Sequence, residues 1–456
     1  MPMNHEELKK SIKENPRLLK FKARSLHPAT IAELIKDNKP VELIKILNFL
    51  PQMVKADVFS HFEEDLQVEL FYVMNQAEKA NLITNMYHDD RVDLMKLLPK
   101  EMAQDVLAIL SEKVRQDIQE LSAYKEKTAG SIMTSKFLYV SDSMTVNETT
   151  EYVRKIATEI ETPYNIYVVD LQNKLIGSVT LKDLILASPS TQIKNIMTTD
   201  LIYSYTSDSR ESAVKKISKY DVVSLPVVDD EQSLVGIITY DDAFDAMESE
   251  YTEDLEKFMA ISGSHTDENY FSVSAVQHFS NRIIWVVILA FVGLLSGVVL
   301  HKYEDALGQL MILALYLPML MDTGGNTGSQ AATIVIRSIA IGDISGSDLM
   351  RVLWKEFKVS FLTALVVALL TFGRVMLMSR STVVPPDFTL INIAFAIAVA
   401  LSLQVVSSTI IGAALPLIVS RLKMDPAVVA SPAITTLVDI TGLLLYFGAV
   451  TLILGV

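Results

Sequence analysis

The chain has 456 residues, half of them hydrophobic and 21% charged, with no cysteine and a formal net charge of −14. That mixture is too apolar for an ordinary soluble enzyme and too charged for a simple membrane bundle, and the length allows about three domains. The lack of cysteine excludes disulfides, thiolate metal sites and a catalytic thiol, and the acidity argues against nucleic acid, whose phosphates select Lys and Arg. The charge is unevenly placed. Residues 1–270 hold 30 of the 40 Lys and Arg and 45 of the 54 Asp and Glu, leaving −15 there and +1 over 271–456. The polar start, MPMNHEELKKSIKENP, has no signal-peptide pattern, so the acidic part is expected in the cytoplasm.

Residues 1–128 read as an all-α domain of short helices. An apolar pattern recurs every 12 residues from Ile44 (IKILNFL) through Ala56, Val68, Ala80, Val92, Gln104 and Gln116. One short helix and a turn fit that length, and such helices bury their faces only by stacking into a superhelix. Residues 129–243 carry a second duplication, with units at about 129–191 and 192–243. Ser131-Ile-Met-Thr is echoed by Asn195-Ile-Met-Thr, IYVVD at Ile166 by LPVVD at Leu225, and GSVTLKDL at Gly177 by GIITYDDA at Gly236. Each unit reads as helix, strand, turn, strand, helix, an α/β pattern that resembles a tandem pair of CBS domains. In such pairs the Thr and Asp that open the last helix can hold a ribose and phosphate. The matching positions are Thr180 with Asp183 and Thr239 with Asp242; the same residues also make plain helix caps. A bound adenine nucleotide, ATP, stays open on that basis.

Residues 241–268 form an acidic helix candidate, with a connecting helix assigned to 244–270. Its repulsion is relieved either by solvent or by divalent cations. Five apolar segments follow over 271–456: Ile283–Leu300, Ala306–Ala340, Val359–Met378, Leu390–Ser420 and Ala427–Val456, each near or above the roughly 20 residues needed to span a bilayer. Arg282, Arg337, Arg351, Lys355, Lys358, Arg421 and Lys423 collect on one side, so the positive-inside rule leaves the C-terminus outside. Leu317-Pro-Met-Leu-Met-Asp-Thr-Gly-Gly-Asn-Thr-Gly-Ser-Gln330 is predicted to break the second segment and free backbone carbonyls. Asp439 stands mid-segment with no cation near it in sequence. A bound metal, a protonated carboxyl and a structural hydrogen bond are its alternatives. Gln404, Ser407, Ser408 and Thr409 are expected in helix–helix contacts.

The order of parts resembles the MgtE magnesium transporters over nearly the whole chain. The most specific match is Pro318 with Gly325, Asn326, Gly328 and Gln330, then Arg337, Asp425-Pro426, Pro432 and Asp439. The resemblance implies a homodimeric channel in the inner membrane that conducts Mg²⁺ and is closed by cytosolic Mg²⁺. It implies Asp439 as the pore acid, with the Pro318–Gln330 motif lining the pore. It also implies a sensor made of Asp89, Asp90 and Asp93 in the helical domain, Glu211 and Asp221 in the CBS pair, and Asp242, Asp245, Glu250, Glu253 and Asp254 on the connecting helix. Ser209 stands where an acid is common. Mg²⁺, the bilayer and a second copy are the partners expected, with no nucleic acid.

Rival readings are a chloride channel-like or CorC-like protein, a transporter of Mn²⁺ or Co²⁺, and a membrane sensor that transports nothing. The first two place their membrane part before the CBS pair, the reverse of the order here. A plain sensor leaves Asp439 unexplained. The seven His show no metal-ligand spacing, Gly324-Gly325 lacks the Gly-Lys-Ser/Thr of a phosphate loop, and no nucleophile–base set is visible, so no enzyme is expected.

Overall fold

The structure, a computed structural model, describes residues 5–455 except 16, 24, 158–159, 161, 264–269, 271–272, 383 and 430. Packing divides it into an amino-terminal unit, Met1–Glu250 with Thr266–Ser272, and a carboxy-terminal unit, Tyr251–His265 with Val273–Val456.

The amino-terminal unit begins with α1 (His5–Glu14), α2 (Leu18–Lys22) and α3 (Pro28–Ile35). It continues with α4 (Pro40–Leu47), α5 (Gln52–Ser60), α6 (Glu64–Val73), α7 (Gln76–Asn85), α8 (His88–Leu97), α9 (Lys100–Ile109) and α10 (Glu112–Ser122). From Pro28 to Glu112 each helix starts twelve residues after the last, so the array opens at α3, earlier than the Ile44 pattern indicates. Pro28 and Pro40 sit in first turns, where a missing N–H costs nothing. Helices of 8–11 residues are too short to stand alone in water. Each packs on its next-but-one neighbour, α3 on α5, α4 on α6 and so on to α8 on α10. The result is one continuous core that includes Leu47, Phe59, Leu70, Phe71 and Ile83.

Two three-stranded sheets follow. β1 (Tyr139–Ser141) runs parallel to β2 (Asn165–Val169), which pairs antiparallel with β3 (Leu175–Thr180). β4 (Ser204–Tyr205), β5 (Ser224–Val228) and β6 (Leu234–Thr239) repeat that order. The duplication extends to irregularities, with register shifts at Val168/Val169 and Val227/Val228. Gly177 and Gly236 each lie where a Cβ would strike a methionine sulfur, Met197 or Met133. The helices are α11 (Val146–Ile156), α12 (Leu181–Leu186) and α13 (Arg210–Tyr220).

The acidic helix is α14 (Tyr240–Phe258). It stops ten residues short of the 241–268 reading: the backbone turns left-handed at Ala260 (φ 60°) and Gly263 (φ 96°), and 264–269 lie outside the described residues.

The carboxy-terminal unit contains α15 (Ala275–Lys302), α16 (Glu304–Gln309), α17 (Leu317–Ala340), α18 (Leu349–Met378), α19 (Leu390–Arg421) and α20 (Ser431–Leu454). Among the described residues four helices are long and apolar enough to cross a membrane: α15, α18 with its 3₁₀ lead-in from Gly346, α19 and α20. The segment expected over Ala306–Ala340 is instead α16, a 3₁₀ turn at Met311–Tyr316, and α17. The break predicted over residues 317–330 is absent. α17 runs without interruption through Gly324, Gly325 and Gly328, and Pro318 sits in its first turn. Helical hydrogen bonding satisfies the backbone there, and the glycines admit neighbouring helices. α19 is the hub, packing on α17, α18 and α20, with Ala394, Ala400, Leu401, Gln404 and Ser408 all fully buried.

Candidate functional site

In the amino-terminal unit three carboxylates from two distant segments meet. Asp89 and Asp90 open α8 and Asp242 lies in the first turn of α14. Thr239 Oγ1 donates to Asp242 Oδ2 at 2.5 Å, and the Asp242 carboxyl also reaches that of Asp89. Asp89 Oδ1 is enclosed with no hydrogen-bond partner. Burial, with the charges of Asp90 and Asp93, pushes the Asp89 carboxyl up to about 7. Burial, with the charges of Asp242 and Asp93, does the same to Asp90, against a hydrogen bond from Ser60. Asp242 is held well above the usual carboxylate range by burial and Asp89. Carboxyls in this condition hold protons that a cation would replace. The buried Arg91 is bonded elsewhere, its Nη2 donating to Thr84 O at 2.8 Å and its Nη1 facing Asp117 at 3.8 Å, while its charge is also felt by Asp89 and Asp90.

The other predicted sensor acids are engaged elsewhere. Asp93 accepts from Lys96 at 2.8 Å. Glu211 pairs with Lys215 at 2.7 Å, and Asp221 caps α13 in a left-handed conformation (φ 52°). Glu250 Oε1 accepts from Arg210 Nε at 3.0 Å and Nη2 at 2.8 Å. Asp245 is exposed and acts on His61, whose titration is lowered chiefly by burial. In the carboxy-terminal unit, Lys257 joins Glu253 (3.0 Å) to Asp425 (2.7 Å), and Asp254 is half-buried. The sequence reading overlooked Asp57 and Ser60, which come beside Asp90 from α5, and Lys257. Only the stacking of helices places the first two; the third is the last turn's lone cation in an acidic helix. Among the described residues no three acidic or imidazole groups enclose a metal ion by themselves. A small hard cation that keeps much of its water needs only one or two carboxylates, which is what this group offers.

The nucleotide candidates are closed on themselves. Thr180 Oγ1 donates to Asp183 Oδ2 at 2.6 Å, and Asp183 N returns a bond to Thr180 Oγ1 at 3.2 Å, a capping box. Thr239 and Asp242 form a looser version of the same cap.

In the carboxy-terminal unit Asp439 is half-buried on α20, and its Oδ1 is enclosed without a hydrogen-bond partner. The adjoining Val438 is part of the contact with α17, against Gly324 and Gly328. Gln404 donates to Val438 O at 3.0 Å, and Ser408 meets Thr327 at 2.6 Å; these are helix–helix contacts, whereas Ser407 and Thr409 bond back within α19. The predicted motif divides between two faces of α17. Gly325 and Gly328 are buried, while Asp322, Asn326 and Gln330, at i, i+4 and i+8, are exposed. Asn326 Nδ2 donates to Asp322 Oδ1 at 3.2 Å. A polar stripe on an otherwise apolar bundle is costly against lipid.

The close approach of α17 and α19 at Gly412 bears on stability. A Cβ at Gly412 would collide with the backbone of Gly328, which cannot rotate away. Gly412→Val is expected to cost at least about 1–3 kcal/mol, read as a lowered thermal midpoint in detergent. Gly373→Ala, where nothing lies within 4 Å, should leave the midpoint unchanged or raise it.

Comparison with known proteins matches the order of the parts. Residues 317–449 match the MgtE divalent cation transporter model, 26–127 the MgtE intracellular N domain, and 129–190 and 193–249 the CBS domain. A magnesium transporter MgtE of Thermus thermophilus is 34% identical over 96% of this chain and 95% of its own. One from Bacillus subtilis is 28% identical over 93% and 92%. Among solved structures, the soluble part of a magnesium transporter aligns with TM-score 0.52 at 29% identity, covering 54% of this chain and 99% of that one. The cytosolic domain of the Mg²⁺ channel MgtE in complex with ATP aligns with TM-score 0.50 at 31% identity, covering 53% and 99%. With its matching domain order and full-length relatives, the chain is a member of the MgtE family of divalent cation transporters.

Proposed function

We propose that the protein carries Mg²⁺ across the cytoplasmic membrane and is closed by Mg²⁺ on its acidic side. Asp439 carries the reading: a carboxylate oxygen without a partner, two turns inside a 24-residue apolar helix. α17 is the fifth span, its polar content explained by lining a wet path with Asp322, Asn326 and Gln330. Two copies face each other across that path, since a single copy leaves the stripe exposed. The acidic domains lie in the cytoplasm and the C-terminus outside, as Arg337, Arg351, Lys355, Lys358, Arg421 and Lys423 favour. In finer division, residues 1–128 are the helical domain, 129–243 the CBS pair, 244–270 the connecting segment and 271–456 the membrane domain.

The regulatory cation is read first by Asp89, Asp90 and Asp242, with Asp93 and Asp245 nearby in their helices. Glu211, Asp221, Glu250, Glu253 and Asp254 join after releasing their present partners. An adenine nucleotide at Thr180, Asp183, Thr239 and Asp242 is supported by the ATP-bound relative. The purified chain in liposomes holding a Mg²⁺-sensitive dye tests the transport reading. A Mg²⁺ gradient should drive dye response above that of empty liposomes, and its absence for correctly folded protein would falsify transport. Running Mn²⁺ and Co²⁺ beside it separates the other divalent ions.

A further inference from the structure

We infer that the outer face of α18 and α19 holds an anionic phospholipid, with its headgroup on a cationic stripe and an acyl chain in the adjoining groove. This rests on membrane insertion alone, not on the transported ion. The groove has a volume of about 480 Å³, and Phe357, Phe361, Leu365, Phe372, Phe395 and Leu403 are among its walls. The size falls in the range of ligand pockets. The hydroxyl of its Ser402 is spent on Ala398 O (2.8 Å) and Ala364 O (3.3 Å), so the lining asks for hydrocarbon.

The groove's end is what distinguishes it from ordinary lipid-facing surface. Trp354, 60% exposed, stacks on Phe357 with centroids 5.6 Å apart and planes 11° off parallel. Phe357 continues to Phe361 at 6.3 Å. This aromatic ladder leads out of the groove to the ammonium of Lys358, 5.4 Å from the centre of the Trp354 ring. Arg351, Lys355 and Lys358 recur at i, i+4 and i+7, all exposed, while Glu356 among them is buried. Asp348, one turn earlier, acts on Arg351, so the positive charge offered outward is chiefly that of Lys355 and Lys358. The span that includes α18 has 33 residues, about 50 Å at 1.5 Å per residue, against about 30 Å of hydrocarbon. Its first turns, bearing Trp354 and the cations, extend to headgroup level, where indole and basic side chains settle. A phosphodiester with a net negative headgroup matches the stripe, and its chain matches the groove.

The chain has two tryptophans, so the full-length Trp285→Phe variant reports from Trp354 alone. The probe is quenching of its fluorescence in vesicles of phosphatidylcholine containing either dibrominated phosphatidylglycerol or dibrominated phosphatidylcholine. The anionic lipid should reach half-maximal quenching at about a tenth of the mole fraction needed by the zwitterionic one, the preference two or three clustered cations provide. Lys355→Gln with Lys358→Gln should bring the two curves together. Equal quenching by both lipids in the parent would reduce the face to ordinary lipid contact and overturn the site. Protection from both would show that a second copy or another protein covers it, which also overturns it. The parent comparison decides the question even where the double variant folds poorly.

Discussion

Asp439→Ala is expected to reduce Mg²⁺ uptake to the background of empty liposomes while leaving the protein as stable as before, or more so. Asp439 Oδ1 has no hydrogen-bond partner, so alanine strands no donor. A carboxylate at the centre of a spanning helix costs about 2.5–3.5 kcal/mol even on a lenient scale, and its removal returns part of that. A residue kept for structure would behave oppositely, with the midpoint falling and residual transport surviving in folded protein. Thermal melting in detergent and dye-reported uptake, measured on one preparation, distinguish the outcomes. Wild-type uptake in the alanine variant would remove Asp439 from the ion path.

The second large effect concerns closure. Replacing Asp89, Asp90 and Asp242 together with Asn is expected to raise the Mg²⁺ concentration needed for protection of the cytosolic part from protease by about tenfold or more, and to weaken inhibition of uptake to match. A ligand shifts an equilibrium only through its different affinity for the two states, and here that difference comes from carboxylates of two segments meeting at one point. Proton linkage gives an independent check. The folded-state carboxyls of Asp89 and Asp90 titrate near 7, above the unfolded value of about 3.9. Without Mg²⁺ the folded form holds protons that the unfolded form releases, so this contribution to stability is present below about pH 4 and is lost as pH rises to 7. On the proposed sensor, Mg²⁺ takes the place of those protons. Its midpoint for protection should therefore fall as pH rises from 6 to 8, by up to about tenfold per unit for each proton displaced. A pH-independent midpoint would exclude these three acids as the sensor.

Much of this molecule could be read from its sequence because the relevant signals are periodic. The twelve-residue spacing of apolar residues requires helices that stack, and helices do start at that interval from Pro28 to Glu112. The echo of Gly177 by Gly236 requires two equivalent sheets, since each glycine accommodates a methionine at the same point. Asp439 was conspicuous because a charge in an apolar run is costly wherever the helix lies. The sequence reading failed where composition was used to judge backbone geometry. Pro318 and the glycines of 324–328 look like helix breakers, but in α17 the proline occupies the first turn and the glycines are where α19 and α20 press in.

What the sequence by itself determined is therefore local and repetitive: which segments are helices or strands, which are apolar, and where a lone charge stands. Only the tertiary structure decided which acids meet. Asp89 and Asp242 lie more than 150 positions apart, yet the charge of Asp89 acts on the buried Asp242 carboxyl, whereas Glu250 and Glu253, three apart, are held by different cations, Arg210 and Lys257. The physical reason is that helix type and apolar face depend on neighbours a few residues away. A carboxylate's partner depends on which elements the hydrophobic core brings together.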